Sequence, residues 1–414
     1  MSIDQDEQQR ILRLIKKLKA EANILIGDQV LDSVTKPGEN WVGELYRVKA
    51  TANEKGKTWI DYSLILKMAP SDLSYRRLLN AAPLFHREIY FYNKIIPELI
   101  DIQRERGIKT IFQPFPKFYL SSKEYLEEAI VMDDMRAKGF IVGNHRRPVD
   151  YETALLVMKT LGKFNALSFA MKEYKPEVYE EIKSNCEDNF LNSPPVYTMI
   201  RNVYLNLSKQ TIATCGPGDE KIAESINKFA ENLSSTFPEL ALQQEHEDYG
   251  VITHGDPQIR NFLFKYRTTS TCTIPEECCI IDTQISRIAS PALDILFFMF
   301  VNTDKELRSS HYDELIEEYY KSFSIFLREL GCDPETLFPF TVLQSHLRKF
   351  APIGFGFATW LVAINLKKTT EAPGKDELSE ESLLKNFATV NDRRYFERVK
   401  DVAKDMIDYG YKFC

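Results

Sequence analysis

The chain has 414 residues, 44% of them apolar and 27% charged, a length greater than one core ordinarily serves and a composition that excludes a disordered polymer. An excess of 60 acidic over 53 basic residues leaves a net charge of −7, so the surface has no general attraction for phosphate polymers and nucleic acid is not expected as a partner. Seven cysteines, an odd number without paired CxxC spacing, read as reduced thiols of a cytoplasmic protein and exclude a zinc site of that type.

Residues 4–22 carry Ile11, Leu12, Leu14, Ile15 and Leu18 at helical spacing, which predicts a leading helix. It is charged throughout and lacks the short apolar core and small-residue cleavage site of a signal peptide. LYRVKA (45–50) and WIDYSLILKMA (59–69), separated by the polar NEKG, predict two antiparallel strands. From Leu84 to Leu99, Phe85, Ile89, Tyr92, Ile95 and Ile96 return to a helical period, and FPKFYLSS and EEAIVMDDM read as a second strand pair. Beyond residue 150 the pattern is mostly helical, apart from one β patch over 261–282. The most apolar run, Pro291–Val301, is about half a bilayer-spanning helix and contains Asp294, so no membrane span is predicted. The expected fold is α+β and bilobal: an N-terminal nucleotide-binding lobe with its leading helix over 1–135, and a larger helical lobe with catalytic loop and acceptor pocket over 136–414.

The most informative segment is THGDPQIRNFLFKY (253–266), in which four residues separate Asp256 from Asn261. This is the spacing of a kinase catalytic loop, where an aspartate accepts or orients the proton of the attacking hydroxyl and an asparagine holds magnesium through its amide oxygen. The run Cys278-Cys279-Ile280-Ile281 returns as a strand and delivers Asp282 beside Asn261, a second oxygen donor for a hard cation. Each piece alone is an ordinary turn or cap; loop, hairpin and second aspartate in this order point to phosphotransfer. His254 reads as a brace for the loop. Lys67, at the end of SLILKM, and Glu88, in the following helix, stand where kinases pair a strand lysine with a helix glutamate near the nucleotide phosphates. A strand-end lysine is otherwise a surface residue with a buried stem. KPGENWVGELYRV (36–48) places Gly38 and Gly43 around a turn whose N–H groups suit phosphate. It is neither a Walker A loop nor GxGxxG, and a plain hairpin turn explains it equally well.

Together these residues resemble the ecdysteroid kinase-like family, a choline-kinase-like group related to aminoglycoside phosphotransferases and choline kinases. The markers are GENWVGELYRV, LILKM, LFHREIYFYNKIIP, IVMDDMRAKGF, LGKFNALS, HGDPQIRNFLFKY and IIDTQ, and they cover nearly the whole chain. The resemblance implies a protein-kinase-like fold of the aminoglycoside phosphotransferase type with ATP and Mg²⁺ as cofactors. Asp256 would be the catalytic base, Asn261 and Asp282 the magnesium ligands, and Lys67 the phosphate clamp held by Glu88. Gly38 and Asn40 would lie in the phosphate loop, Met132, Asp133 and Met135 in a hinge that meets adenine, and Asp294 would brace the catalytic loop. The implied acceptor is a hydroxyl on a small lipophilic molecule, ecdysteroid-like or xenobiotic, in hormone storage or detoxification, and a monomer is expected. Four positions depart from the family pattern: Gln258 stands for tryptophan, Thr283 for phenylalanine, Asn165 for histidine and Asp133 for glutamate. They mark a different acceptor pocket, or a catalytically silent protein that binds a lipophilic ligand or partner through the same cleft. Tyr197, Tyr204, Phe350, Phe355, Phe357 and Trp360 are candidates for that cleft or, equally simply, for the core.

Overall fold

The computed structural model describes residues 5–21, 24–34, 43–54, 60–78, 80–186, 194–242, 248–269, 272–367 and 390–413. The leading helix α1 (Gln5–Glu21) buries Ile11, Leu14, Ile15 and Leu18, the i, i+3, i+4, i+7 stripe that an amphipathic helix presents to one surface. That surface is an antiparallel sheet of β1 (Ile24–Ser33), β2 (Glu44–Glu54), β3 (Ile60–Met68), β4 (Phe118–Ser122) and β5 (Ala129–Asp133), in the order β1-β2-β3-β5-β4. Strand alternation divides the sheet into two faces. Tyr46, Val48, Leu64, Leu66, Met68 and Val131 pack under α1. Residues of the other parity, Arg47, Ile65 and Lys67, take the opposite face, with Arg47 paired to Ile65, Ile65 to Met132 and Lys67 to Ile130.

Strands β2 to β5 fall where the sequence pattern puts them, except that Asn53 and Glu54 of the expected turn belong to β2; residues 55–59 lie outside the described set. β1 is additional. Its pairing register shifts between Ile26 and Gln29, and the irregularity around Gly27 and Asp28 breaks the period-two signal by which a strand is recognised. After α2 (Leu73–Leu78), α3 (Ala81–Tyr90) runs through a π-helical turn (Phe91–Ile95) into α4 (Ile96–Glu105), so the expected helix over 84–99 continues for another turn and a half.

The remainder is helical around two small sheets. β6 (Ile141–Val142) pairs with β8 (Phe262–Thr268), which forms a hairpin with β9 (Thr273–Ile280); β7 (Val251–Ile252) pairs with β10 (Ile288–Ala289). Around them stand α5 (Tyr151–Tyr174), α6 (Pro176–Asn185), α7 (Pro194–Ile212), α8 (Glu220–Leu242), α9 (Pro291–Asn302), α10 (Lys305–Glu329), α11 (Pro334–Leu337), α12 (Phe340–Leu366) and α13 (Arg393–Asp408). Every residue of α9 is buried, which explains why its apolar run has no polar face. The stretch Pro334–Leu366 is long and apolar enough to cross a membrane, but 78% of its apolar window is buried inside the fold, the setting of a core helix. Tyr204, Phe350, Phe355 and Phe357 are core residues, and Trp360 is partly buried edge-on to Tyr204. The side chain of Tyr197 lies outside the described set.

Two glycines permit the closest helix contacts. A Cβ on Gly162 of α5 would lie 2.5 Å from the Tyr319 carbonyl of α10, and one on Gly354 of α12 would lie 2.9 Å from the Leu296 Cβ of α9. Asn165 also joins elements: its carbonyl accepts from the Tyr319 hydroxyl at 2.7 Å, and its amide donates to Ile252 O of β7 at 3.4 Å. Gly162→Ala is expected to lower stability by about 1–3 kcal/mol despite alanine's better helix propensity, because backbone rather than a movable side chain blocks the new methyl. Urea unfolding measures it, and an unchanged midpoint refutes the close α5–α10 packing.

Candidate functional site

Lys67 leaves β3 on the face away from α1 and ends between two carboxylates. Its Nζ lies 2.6 Å from Glu88 Oε2 and 2.6 Å from Asp282 Oδ1. Lys67 is 4% exposed and Glu88 1%. Glu88 is carried by α3, which packs through Leu84 and Phe85 beside it. Burial opposes the charge on Lys67, but Asp282 and Glu88 together hold its ammonium well above the ordinary lysine range. Burial pushes the Glu88 carboxyl up to about 7, with Lys67 pulling against that rise. A second link lies one residue away, where Arg87 Nη1 donates to Ser286 O at 2.5 Å.

Asp282 follows β9 in the left-handed region, φ 65°, a conformation that aspartate tolerates better than most side chains. The residue before it is fixed on both sides: Ile281 N donates to Asn261 O at 3.0 Å, and His254 Nε2 donates to Ile281 O at 3.1 Å. The donation fixes the tautomer, since His254 Nδ1 then accepts from Asp256 N at 3.3 Å. His254 is thereby a hydrogen-bonded brace between the loop and the strand that ends at Asp282.

The loop itself is gripped by α9. The Asp294 carboxylate, in the first turn of that helix, accepts from His254 N at 2.7 Å and Gly255 N at 3.0 Å. Burial raises the pKa of Asp294 above the usual aspartate value, against the pull of His254 and these N–H groups. Gly255 is obligatory, with φ 85° and a would-be Cβ 2.3 Å from Ile285 O. At the helix's other end, Asn302 Oδ1 accepts from Ile259 N at 2.8 Å while its amide donates to Pro257 O at 3.1 Å. Sequence reasoning missed Asn302. The available signal was that Asp294 and Asn302 are the two polar side chains of an otherwise apolar helix.

Between these grips sits Asp256. Its Oδ1 accepts from Gln258 Nε2 at 2.8 Å and its Oδ2 from Asn261 Nδ2 at 3.0 Å. Asn261 Nδ2 also reaches Asp256 O at 2.9 Å, so the nitrogen side of that amide is committed and its Oδ1 is turned elsewhere. Burial pushes the Asp256 carboxyl up, Gln258 opposes the shift, and the nearby Asp282 charge adds to it. Gln258 is buried and bonded to the carboxylate of interest. Thr283 is buried, and its hydroxyl has no partner among the described residues.

The end of β5 and the residue that follows it are tied down by their side chains. Asp133 accepts from the Tyr119 hydroxyl at 2.8 Å and from Lys138. Asp134 accepts from Arg47 Nε at 2.6 Å and Ser63 Oγ at 2.8 Å. The backbone N–H groups of Asp133 and Asp134 donate to Lys117 O and Ser63 O, and Met135 O accepts from Phe140 N. Met132 is buried, whereas Met135 packs with Phe140, Val142, Leu263, Cys279 and Ile281 in an apolar cluster below this segment. Leu263 and Ile281 were not singled out from the sequence; Leu263 lies two residues after Asn261 in β8, and Ile281 is the residue between β9 and Asp282. The structure thus gathers Lys67, Glu88, Asp256, Asn261 and Asp282 into one constellation, with Asp133 and Met135 at its rim. Gly38 and Asn40 lie outside the described residues. Gly43 immediately precedes β2, where a Cβ would lie 3.1 Å from Phe85 Cζ and 3.2 Å from Met68 O, so the packing there favours glycine.

A family model described as the ecdysteroid kinase-like family matches residues 37–332. No curated protein matches the chain. Among solved structures, the chain is similar to the GDP complex of wild-type aminoglycoside 2'-phosphotransferase-IIIa, with TM-score 0.41 and 11% identity over 97% of this chain and 99% of that one. The GDP complex of a point mutant of that enzyme gives TM-score 0.41 and 11% identity over 96% and 97% of the two chains.

Asp294→Ala leaves two buried N–H groups without their acceptor and is expected to cost about 1–3 kcal/mol for each. Urea unfolding reads the loss, and hydrogen exchange at His254 and Gly255 localises it. Unchanged protection at both amides refutes the brace.

Proposed function

The chain belongs to the ecdysteroid kinase-like family, and from that premise we propose that it transfers the γ-phosphate of Mg·ATP to a hydroxyl of a small organic acceptor, lipophilic in its bulk. The observation that carries this reading is the buried Lys67 ammonium, 2.6 Å from both Glu88 and Asp282. A kinase-type phosphate site needs a fixed cation beside a metal-binding aspartate, and this pairing supplies it.

Each residue has a role on this reading. Lys67 engages the nucleotide phosphates, and Glu88 keeps its stem from turning away. Asp133 O and Met135 N, an acceptor and a donor two residues apart, suit the edge of adenine, with Leu263, Ile281 and Met135 as its apolar floor. The donor set of Asn261 and Asp282, one amide oxygen and one carboxylate, fits Mg²⁺, which takes few protein oxygens and completes its shell with phosphate and water. When bound, the cation neutralises charge on the phosphates during transfer. Asp256 accepts the proton of the acceptor hydroxyl as that oxygen bonds to the γ-phosphorus. The bond from phosphorus to the β–γ bridging oxygen breaks, and ADP leaves. Gln258 and Asn261 orient the carboxylate and favour its charged form against burial.

A second reading, a catalytically silent kinase-fold protein that binds a lipophilic ligand or partner in the same cleft, draws on Gln258, whose amide occupies one oxygen of Asp256. Thermal melts with ATP, with and without Mg²⁺, test the nucleotide site. Saturation at about 100 times Kd adds roughly 2.7 kcal/mol, and Asp282→Ala is expected to abolish the magnesium-dependent part. No shift in the wild type refutes the nucleotide site.

ADP release in the presence of hydroxylated acceptors then separates the two readings. Asp256→Asn is expected to lower turnover by roughly 10² to 10⁴-fold, and acceptor-independent binding of nucleotide without turnover favours the silent protein. Because the Asp256 pKa is raised and the base works deprotonated, activity falls as pH drops through a value above the ordinary aspartate pKa of about 3.9. Gln258→Leu removes an opposing donor and is expected to move that limb to still higher pH. An acid limb at or below the ordinary value refutes Asp256 as the base.

A further inference from the structure

We propose that Arg260, with His145 and Arg146, forms a subsite for an oxyanion carried by the acceptor, so that the hydroxyl presented to Asp256 belongs to a molecule bearing a carboxylate, sulfate or phosphate. The inference rests on the phosphotransfer reading and goes beyond it, since the family resemblance implies only a small lipophilic acceptor.

Arg260 occupies the short turn Ile259–Asn261, inside the catalytic loop itself. Its neighbour Asn261 is turned toward Asp256, whereas Arg260 reaches the other way and donates through Nη2 to Asn365 Oδ1, a buried residue at the end of α12. That is its one hydrogen bond among the described residues. Its Nε is buried and donates to nothing, and no described carboxylate lies within ion-pair distance. Asp256 and Asp282 act on the guanidinium at longer range, but Asp282 is paired with Lys67 and Asp256 with two amides.

The segment after β6 packs on the same turn. Gly143 lies so close to the turn that a Cβ would stand 2.2 Å from Ile259 O, and its N–H donates to Phe262 O at 2.9 Å. Two residues on is His145, half-buried, where burial and the charges of Arg260 and Arg146 hold its imidazole down to about 4. It is therefore neutral, and its ring offers an N–H donor without adding a third positive charge.

Arg260 is half-buried, with a buried Nε that donates to nothing and no ion-pair partner among the described residues, so part of its desolvation is unmet and an arriving anion offsets it. An oxyanion matches the guanidinium fork, and its bonds are of the strong charge-assisted kind. Three residues separate Arg260 from Asp256 on one tight loop, so an anion held there positions a hydroxyl of the same small molecule at the base.

The test uses the full chain and paired probes that differ only in charge: cholate with methyl cholate, and mandelate with methyl mandelate. Binding is read by thermal shift and calorimetry in wild type, Arg260→Met and Arg260→Lys, with Mg·ATP melts alongside. At least one acid is expected to bind the wild type about tenfold or more tightly than its ester, the range of one charge-assisted hydrogen bond. The preference disappears in Arg260→Met, persists in part in Arg260→Lys, and the Mg·ATP shift stays unchanged in both. Esters that bind as well as acids, a preference that survives Arg260→Met, or no binding by either acid overturns the subsite. So does loss of the Mg·ATP shift in Arg260→Met with the acid preference retained, which assigns Arg260 to the nucleotide. The wild-type comparison needs no variant to fold. Acid preference without any Mg·ATP shift in the wild type leaves the oxyanion site standing and sinks the phosphotransfer reading.

Discussion

The Lys67 ammonium, enclosed by Glu88 on one side and Asp282 on the other, is the constraint to which the rest of the structure answers. One carboxylate comes from α3 and the other from the residue that follows the β8–β9 hairpin, so a single cation ties strand, helix and hairpin together. Taking such a group out of water costs several kcal/mol. Two opposite charges at hydrogen-bonding distance offset that cost only if both are held still. The packing of α3 holds the first, and the bonds of Ile281 to Asn261 and His254 hold the second.

The same logic of fixing a charged group from behind recurs in the catalytic loop. Helix α9 has no exposed face, and so no part of it answers to solvent. Its two polar side chains are spent on the loop instead, Asp294 on the backbone before Asp256 and Asn302 on the backbone after it. The proposed base is thus positioned by a rigid element that never touches it. Buried polar side chains in an apolar helix carry information of this kind because each must find a partner.

What was legible in the sequence follows from the same physics. Lys67, Glu88, Asp256, Asn261 and Asp282 are charged or amide residues that kinase chemistry requires in a fixed order, and order survives in a bare sequence. β2 to β5 announced themselves by alternation, and α1 by its apolar stripe. β1 did not, since the irregularity between Ile26 and Gln29 erased its period. Asn302, Leu263 and Ile281 act through strand pairing and helix packing, which bring together residues distant in the chain. The aromatic candidates for an acceptor cleft went mostly to the core, as large apolar side chains in a helical body tend to do. Arg260 was written in the catalytic loop, but its lack of a counter-ion is a property of the folded surroundings alone.

The tie at Asp134 bears on the stiffness of the site. Arg47 and Ser63 tie that residue to the middle of the sheet, and Asp133 is tied to Tyr119 of the edge strand. Side chains from three strands thus converge on two consecutive residues at the end of β5. On the proposed function, the wall that would meet adenine inherits the stiffness of a five-stranded sheet, so a base there meets a surface already shaped before it arrives.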